Sequence, residues 1–148
     1  MFLVHTLAVA ELYVRLREAE RAGYLELPVF LAEPASWQRT VSLGTLKPDA
    51  YVLLAHGSIE DAWWIEVDQA TESPATLRRK FSLYLLAAQA GVIGSHGILP
   101  RILVTVPDMR RLEAIRDITA ELGPVAQRLI SVTLHNQAVQ FLVEILHT

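Results

Sequence analysis

Residues 48–68, PDAYVLLAHGSIEDAWWIEVD, contain two strand-like runs, 51–55 and 62–67, joined by HGSIED, whose glycine and acidic residues suit a turn. Both runs consist mainly of aliphatic and aromatic side chains, which are typical of strands. Two such runs on either side of a short turn predict a β-hairpin. Its first strand follows Pro48-Asp49, and its second strand ends at Glu66-Val67-Asp68.

Helical and strand-like segments alternate around the hairpin. Ser73 followed by Pro74 is a typical helix start, and Gly23 and Gly123 are typical helix ends. The predicted helices are 5–22, 74–90, 109–122 and 137–147, and the other predicted strands are 27–31, 101–106 and 129–134. This order is typical of a mixed central sheet flanked by helices, so we predict one α/β domain over residues 1–148.

The composition narrows the classes of protein that fit. Of 148 residues, 52% are hydrophobic and none is cysteine. The lack of cysteine excludes disulfide frameworks, thiolate zinc sites, cysteine-ligated iron–sulfur clusters and a cysteine nucleophile. The N-terminus lacks the basic segment of a signal peptide, and three glycines interrupt the uncharged window 81–100. We therefore expect a cytoplasmic protein with no membrane partner.

Charge is distributed unevenly along the chain. The net charge is −3, yet residues 1–70 carry 5 basic and 10 acidic side chains, whereas residues 71–148 carry 8 and 6. This distribution is compatible with a metal site beside a phosphate-binding surface. It is also what solvated surface charges produce without any site.

Carboxylates cluster at one end of the predicted hairpin. Asp49 and Glu66 are 17 positions apart, and a hairpin brings the start of its first strand beside the end of its second. Glu66 and Asp68 have i, i+2 spacing and share one strand face. Clustered carboxylates raise one another's pKa and are tolerated when a hard cation such as Mg²⁺ neutralises them. The alternative is that all three are solvated charges at strand ends.

Four short motifs resemble a known family: HTLAVAELYVRL at 5–16, KPDAYVLL at 47–54, WIEVDQATES at 64–73 with Arg79-Lys80, and RILVTVPD at 101–108. In this order they look like the replication-relaxation family, over roughly residues 5–122. Pro48-Asp49, then Glu66 at the end of a hairpin, then a helix, also resemble the PD-(D/E)XK nuclease superfamily, of which we take this family to be a branch.

The resemblance implies a restriction-endonuclease-like core and a role in plasmid or mobile-element DNA replication or maintenance. We expect the winged-helix segment that commonly precedes this domain in the family to be absent. The resemblance also implies a metal site. Asp49 and Glu66 would hold Mg²⁺ or Mn²⁺, the backbone carbonyl of Val67 would be a further ligand, and Glu11 is the candidate carboxylate from the first helix.

The chain departs from the superfamily pattern at one position. Asp68 stands where the motif has its catalytic lysine, and an extra negative charge cannot neutralise a phosphate. Some superfamily members supply this lysine from the next helix, and Lys80 is the candidate here. Tyr84 lies one turn further on the same face, so both side chains could sit over the carboxylates. Asp49, Glu66, Asp68, Lys80 and Tyr84 are therefore the candidate catalytic residues.

Two functions follow from this resemblance. The first is a nuclease-like domain that hydrolyses DNA phosphodiesters with a divalent metal. The second is a catalytically degenerate nuclease fold that serves as a DNA-binding or dimerising regulatory module, which Asp68 favours. The basic run Arg78, Arg79 and Lys80 is the candidate nucleic-acid contact, or else a solvated helix face.

The last helix predicts a homodimer. Ala138, Phe141, Leu142, Ile145 and Leu146 form its apolar face. Val139 and Val143 lie on the flank of that face, which makes the apolar stripe wider than one packing contact needs. We therefore expect this flank to contact a second copy of the chain, or else to be buried in its own domain.

Overall fold

A five-stranded mixed sheet forms the centre of the molecule. The computed structural model describes residues 2–94 and 96–148. Its elements are α1 (Phe2–Arg21), β1 (Glu26–Ala32), β2 (Gln38–Arg39), β3 (Thr45–Leu46), β4 (Ala50–His56), β5 (Ile59–Val67), α2 (Pro74–Gln89), β6 (Arg101–Val106), α3 (Met109–Leu122), α4 (Pro124–Leu129), β7 (Ile130–Leu134), a 3₁₀ turn (His135–Gln137) and α5 (Ala138–Leu146).

The strand order in the sheet is β1-β4-β5-β6-β7. Strand β4 pairs antiparallel with both β1 and β5, whereas β5, β6 and β7 run parallel to one another. The predicted hairpin is therefore confirmed as β4 and β5, and the predicted mixed α/β sheet is confirmed as well. Strand β1 lies at one edge of the sheet. An edge strand tolerates a proline such as Pro28, because one of its sides has no neighbouring strand that needs a backbone donor.

Helices cover both faces of the sheet. One hydrophobic core lies under α2 and α3 and includes Trp64 and Phe81. The other lies under α1 and α5 and includes Trp63 and Leu16. The two neighbouring tryptophans point to opposite faces because side chains alternate along a strand, and both are buried.

Local signals place most helix ends where the sequence predicts them. The Ser73 hydroxyl accepts a hydrogen bond from the amide of Thr76, and the Asp108 carboxylate accepts one from the amide of Arg111. Gly123 ends α3 with a φ of 106°, a conformation that favours glycine. The short helix α4 was not predicted, because it occupies only six residues directly after that glycine.

The prediction for the buried face of α1 was wrong. The helical spacing of residues 5–22 predicts one face made of Leu7, Ala10, Glu11, Val14, Leu16 and Ala19. In the structure the buried residues are Val9, Leu12 and Leu16, so of that predicted face only Leu16 is fully covered. Leu7 and Val14 are 59% and 51% exposed. Apolar residues occur around most of this helix, so its packing against β1 and α5, and not its own pattern, decides which face is covered.

Helix α5 lies against the sheet with α1 beside it. Its flanking residues Val139 and Val143 are half-buried and pack on the core of that face. The wide apolar stripe predicted to contact a second copy is thus largely covered within the chain. In the described part of the chain, no helix combines the length and the apolar character that crossing a membrane requires.

Candidate functional site

Asp49 and Glu66, the carboxylate pair, lie side by side at the end of the hairpin. Ala50 pairs with Ile65 in the β4–β5 register, which places Asp49 opposite Glu66. The Asp49 amide donates to the Ile65 carbonyl at 2.9 Å, and the Val67 amide donates to Asp49 Oδ2 at 2.7 Å. Both acidic residues are buried, with 8% and 6% exposure.

The surroundings of Asp49 favour its protonated, neutral form. Burial and the neighbouring charge of Glu66 raise its pKa from 3.8 to about 9. His5 from α1 lies next to it, with Nε2 2.9 Å from Asp49 Oδ1. The helix on the other face of the sheet therefore reaches the carboxylate pair through His5.

Glu66 is held by two side chains of α2. The Tyr84 hydroxyl donates to Glu66 Oε1, and Lys80 Nζ lies 3.5 Å from Glu66 Oε2. Burial raises the pKa of Glu66, although Lys80 and Tyr84 lower it. The i, i+4 spacing puts Lys80 and Tyr84 on one face of α2, and both side chains contact Glu66, which is the arrangement that the resemblance implied.

Lys80 is shared between two acidic groups. Besides Glu66 it contacts Glu72, with 2.9 Å between Nζ and Oε1. Burial opposes its charge, but the two carboxylates outweigh burial and raise the pKa of Lys80. Burial and the nearby charge of Glu66 also raise the pKa of Tyr84 well above its usual value, so its hydroxyl remains a hydrogen-bond donor.

Asp68 has a different environment. Arg111 of α3 holds it with two hydrogen bonds, Nε to Oδ2 at 2.7 Å and Nη2 to Oδ1 at 2.8 Å. Arg111 also donates to the Glu72 carbonyl, which ties the loop after β5 to α3. The structure therefore places Asp68 in an ion pair with α3 and does not turn it toward Lys80.

Of the other predicted site residues, Val67 contacts the carboxylate pair, whereas Glu11 and Arg78 pair with other side chains. Glu11 is exposed and pairs with Arg15, and its position on α1 is about 9 Å beyond that of His5. Val67 contributes its amide to Asp49. Arg78 pairs with Glu121 at 3.0 Å, on the α3 side of α2.

Sequence reasoning missed several neighbours of the pair. Among the described residues, one group has nitrogen and carboxylate atoms close enough to share a metal: His5, Glu33 and Asp49, all within 4.8 Å of one another. Glu72 and Arg111 were also missed. His5 opens one of the family-like motifs and Glu72 lies within another, so both could have been identified from their positions, whereas Glu33 and Arg111 carry no local signal.

Two of the surfaces that border the carboxylate pair differ in chemical character. The first, the basic cleft, has a volume of about 300 Å³ and is lined by Lys47, Arg79, Lys80 and Tyr84 together with Glu66. The second, the aromatic groove, has a volume of about 900 Å³. Its lining residues include His5, Val9, Tyr13, Phe30, Glu33, Trp37 and Asp49.

Comparison with known families identifies the domain. A family model described as Replication-relaxation matches residues 1–102. This chain belongs to the replication-relaxation family. The match contains Asp49, Glu66, Lys80 and Tyr84, but ends at the start of β6, so most of the RILVTVPD motif lies beyond it. No curated protein and no solved structure matches the chain significantly. Membership in the replication-relaxation family supports a function related to replication.

Proposed function

We propose that this replication-relaxation domain acts on DNA as a PD-(D/E)XK-type nuclease, by phosphodiester hydrolysis that depends on Mg²⁺ or Mn²⁺. One observation carries the proposal. Two buried carboxylates, Asp49 and Glu66, lie opposite each other with the Lys80 ammonium 3.5 Å from Glu66. Carboxylates for a metal and a cation for a phosphate thus lie within one site.

The donor set fits a divalent metal. Asp49 and Glu66 both have raised pKa values, so their charges are not fully compensated by the chain. Asp49 and Glu66 would hold the ion, and the His5 and Glu33 side chains are close enough to Asp49 to contribute. The carboxylates of this group suit either Mg²⁺ or Mn²⁺. When bound, such an ion polarises a phosphoryl oxygen and lowers the pKa of water.

The protein side chains have separate tasks under this proposal. Lys80 places a positive charge beside Glu66, where it can stabilise the additional negative charge on a reacting phosphate. Tyr84 donates to Glu66 and orients that carboxylate. Lys47 and Arg79 line the basic cleft and can contact neighbouring phosphates. Asp68 has no part in this chemistry, because Arg111 neutralises it.

A second candidate function is a degenerate nuclease fold that binds DNA or a second copy without cleavage. The observation in its favour is the partnership of Lys80, which already contacts Glu66 and Glu72. Asp68 at the usual lysine position points the same way. The metal test and the cleavage test below separate the two functions.

The metal test measures melting temperature. Millimolar Mn²⁺ or Mg²⁺ should raise the Tm of the wild type, because a ligand that binds only the folded state stabilises it. Asp49→Asn should abolish the rise. Asp61→Asn is the matched control, because Asp61 pairs with Arg101 near the start of β5 and should leave the rise intact. A wild-type Tm that does not respond to either metal would remove the metal site from the proposal.

The cleavage test uses supercoiled plasmid DNA with Mn²⁺. The wild type should nick or cut it, and Lys80→Ala should lose this activity while it keeps the fold. Arg128→Ala is the control, since Arg128 is an exposed cation of α4 that lines neither the basic cleft nor the aromatic groove. Cleavage by Lys80→Ala would show that Lys80 has no catalytic role. A metal-induced rise in Tm and DNA binding without cleavage would establish the degenerate function.

A homodimer remains part of the proposal, although its interface is no longer expected on α5. The half-burial of Val139 and Val143 removes most of that surface. Sedimentation at micromolar concentration tests the assembly. A mass that stays near the 16.5 kDa of one chain at all loadings would exclude a dimer.

A further inference from the structure

The aromatic groove shares His5, Glu33 and Asp49 with the proposed metal site, but its aromatic side chains take no part in the chemistry proposed above. Two of its side chains, Tyr13 and Trp37, are 38% and 39% exposed. Phe30 packs edge-on against Tyr13, with 5.0 Å between the ring centroids. A concave, mainly apolar surface with accessible aromatic rings is typical of a site that binds a flat ligand.

The charges in the groove limit what it can hold. Of the described residues that line it, none is a lysine or an arginine, and the acidic ones are Glu33 and Asp49. A phosphate group is therefore disfavoured inside the groove. The amino groups of a nucleobase can instead donate to these carboxylates while the ring stacks on an aromatic side chain.

The groove and the basic cleft are connected at two points. Lys47 lines the basic cleft, and its Nζ lies 4.9 Å from the centroid of the Trp37 ring in the groove. Asp49 lines the groove, whereas Glu66 opposite it lines the cleft. A nucleotide at the carboxylate pair thus has cations on one side for its phosphates and aromatic rings on the other side for its base.

We propose that the aromatic groove binds an unpaired nucleobase of the DNA strand whose phosphate lies at the carboxylate pair. This inference rests on the proposed function and specifies its substrate. A base within a duplex is stacked and paired, so it must leave the helix before it can enter a groove. The domain therefore prefers single-stranded or locally unpaired DNA over intact duplex.

The test compares binding of a fluorescein-labelled oligodeoxynucleotide as a single strand and as a duplex, by anisotropy in EDTA to prevent cleavage. The single strand should bind at least about fivefold more tightly, and Tyr13→Ala and Trp37→Ala should each weaken it by about fivefold or more. Tyr24→Ala is the matched control, since Tyr24 is an exposed aromatic residue outside the groove lining, and it should have no effect.

Tryptophan fluorescence provides a second measurement. Trp63 and Trp64 are buried, so quenching by an added single strand reports on Trp37 and should disappear in Trp37→Ala. Equal affinity for single strand and duplex, or unchanged binding by Tyr13→Ala, would overturn the proposal. So would a wild-type dimer that dissociates in Tyr13→Ala, because the groove would then belong to a second copy.

The metal-induced rise in Tm separates this inference from the proposed function. If Mn²⁺ stabilises the wild type and duplex is cleaved while single strand and duplex bind equally, the nucleobase groove is rejected and the nuclease proposal stands. If Mn²⁺ has no effect but Tyr13→Ala and Trp37→Ala still weaken single-strand binding, the groove is supported and the metal site is rejected.

Discussion

Glu66 and Asp68 lie two residues apart at the end of β5 and face the same side of the sheet, yet their side chains have different partners. Both are buried. Asp68 has a dedicated arginine that forms two hydrogen bonds with it. Glu66 has a tyrosine, a lysine shared with Glu72, and a second carboxylate beside it, and its pKa is raised. A buried carboxylate with two hydrogen bonds to one arginine joins elements of the fold, whereas one whose charge the chain compensates only in part can be neutralised by a proton or by a bound cation.

The largest effect is expected from breaking the Asp68–Arg111 pair. Arg111→Met leaves a buried carboxylate without its partner and should lower the free energy of unfolding by about 3–5 kcal/mol. Urea unfolding measures the loss. Arg78→Met breaks an exposed pair with Glu121 and should cost less than about 1 kcal/mol.

A double variant shows whether the loss of stability comes from the unpaired charge of Asp68. Asp68→Leu combined with Arg111→Met removes both charges and should recover part of the stability that Arg111→Met loses. If the double variant is as unstable as the sum of both single variants, the pair is not the source of the effect.

The second-largest effect is a pH dependence of stability that arises from Asp49. Its pKa is about 9 in the folded protein and 3.8 without the surrounding structure, so the folded state keeps a proton that the unfolded state releases. Stability should therefore fall as the pH rises from about 4 toward about 9. Between pH 5 and pH 8 we expect a loss of about 2 kcal/mol in EDTA, within the limit of about 1.4 kcal/mol per pH unit for one proton.

Asp49→Asn should reduce this loss, because the amide cannot titrate but can still accept from the Val67 amide. Asp61→Asn serves as the control and should retain the wild-type slope. Urea unfolding at pH 5, 6.5 and 8 gives the slopes. A wild-type slope in Asp49→Asn would show that another group titrates.

A smaller effect is expected from Tyr84→Phe. The change removes the hydroxyl that donates to Glu66 and should lower stability by about 1.5 kcal/mol, since the bond is buried and its acceptor is a carboxylate. Tyr13→Phe removes an exposed hydroxyl that accepts from Arg17 and should cost less. Equal losses in the two variants would contradict a special role for the Tyr84 hydroxyl.

The smallest effect distinguishes Glu11 from His5 as the metal ligand that α1 contributes. Glu11→Gln breaks an exposed i, i+4 pair with Arg15, so it should cost less than about 0.5 kcal/mol and leave the metal-induced rise in Tm unchanged. His5→Gln should reduce that rise, because His5 lies 2.9 Å from Asp49. The opposite result would restore Glu11 as the helix ligand.

Much of the fold could be predicted because its signals are local. The β4–β5 hairpin depends on a short turn, α2 begins at a serine cap, and α3 ends at a glycine. Strand β6 lies between two prolines and consists mainly of aliphatic residues. Each of these signals acts within a few residues, so it does not depend on the rest of the molecule.

Part of the site could be predicted for the same reason. A hairpin determines by itself that Asp49 lies opposite Glu66, and a helix determines that Lys80 and Tyr84 share a face. That this face of α2 lies over Glu66 was a prediction from the family resemblance, and the contacts of both side chains agree with it.

The sequence by itself thus determined the longer helices, the five strands of the mixed sheet and the juxtaposition of the carboxylate pair. Only the tertiary structure decided the partners of that pair across the molecule. Arg111 is 43 positions from Asp68 and His5 is 44 positions from Asp49, so their contacts depend on how whole helices pack on the sheet. Helix packing on the sheet also decides which face of α1 is exposed. Apolar residues occur around most of this helix, so its own pattern allows more than one face to be buried.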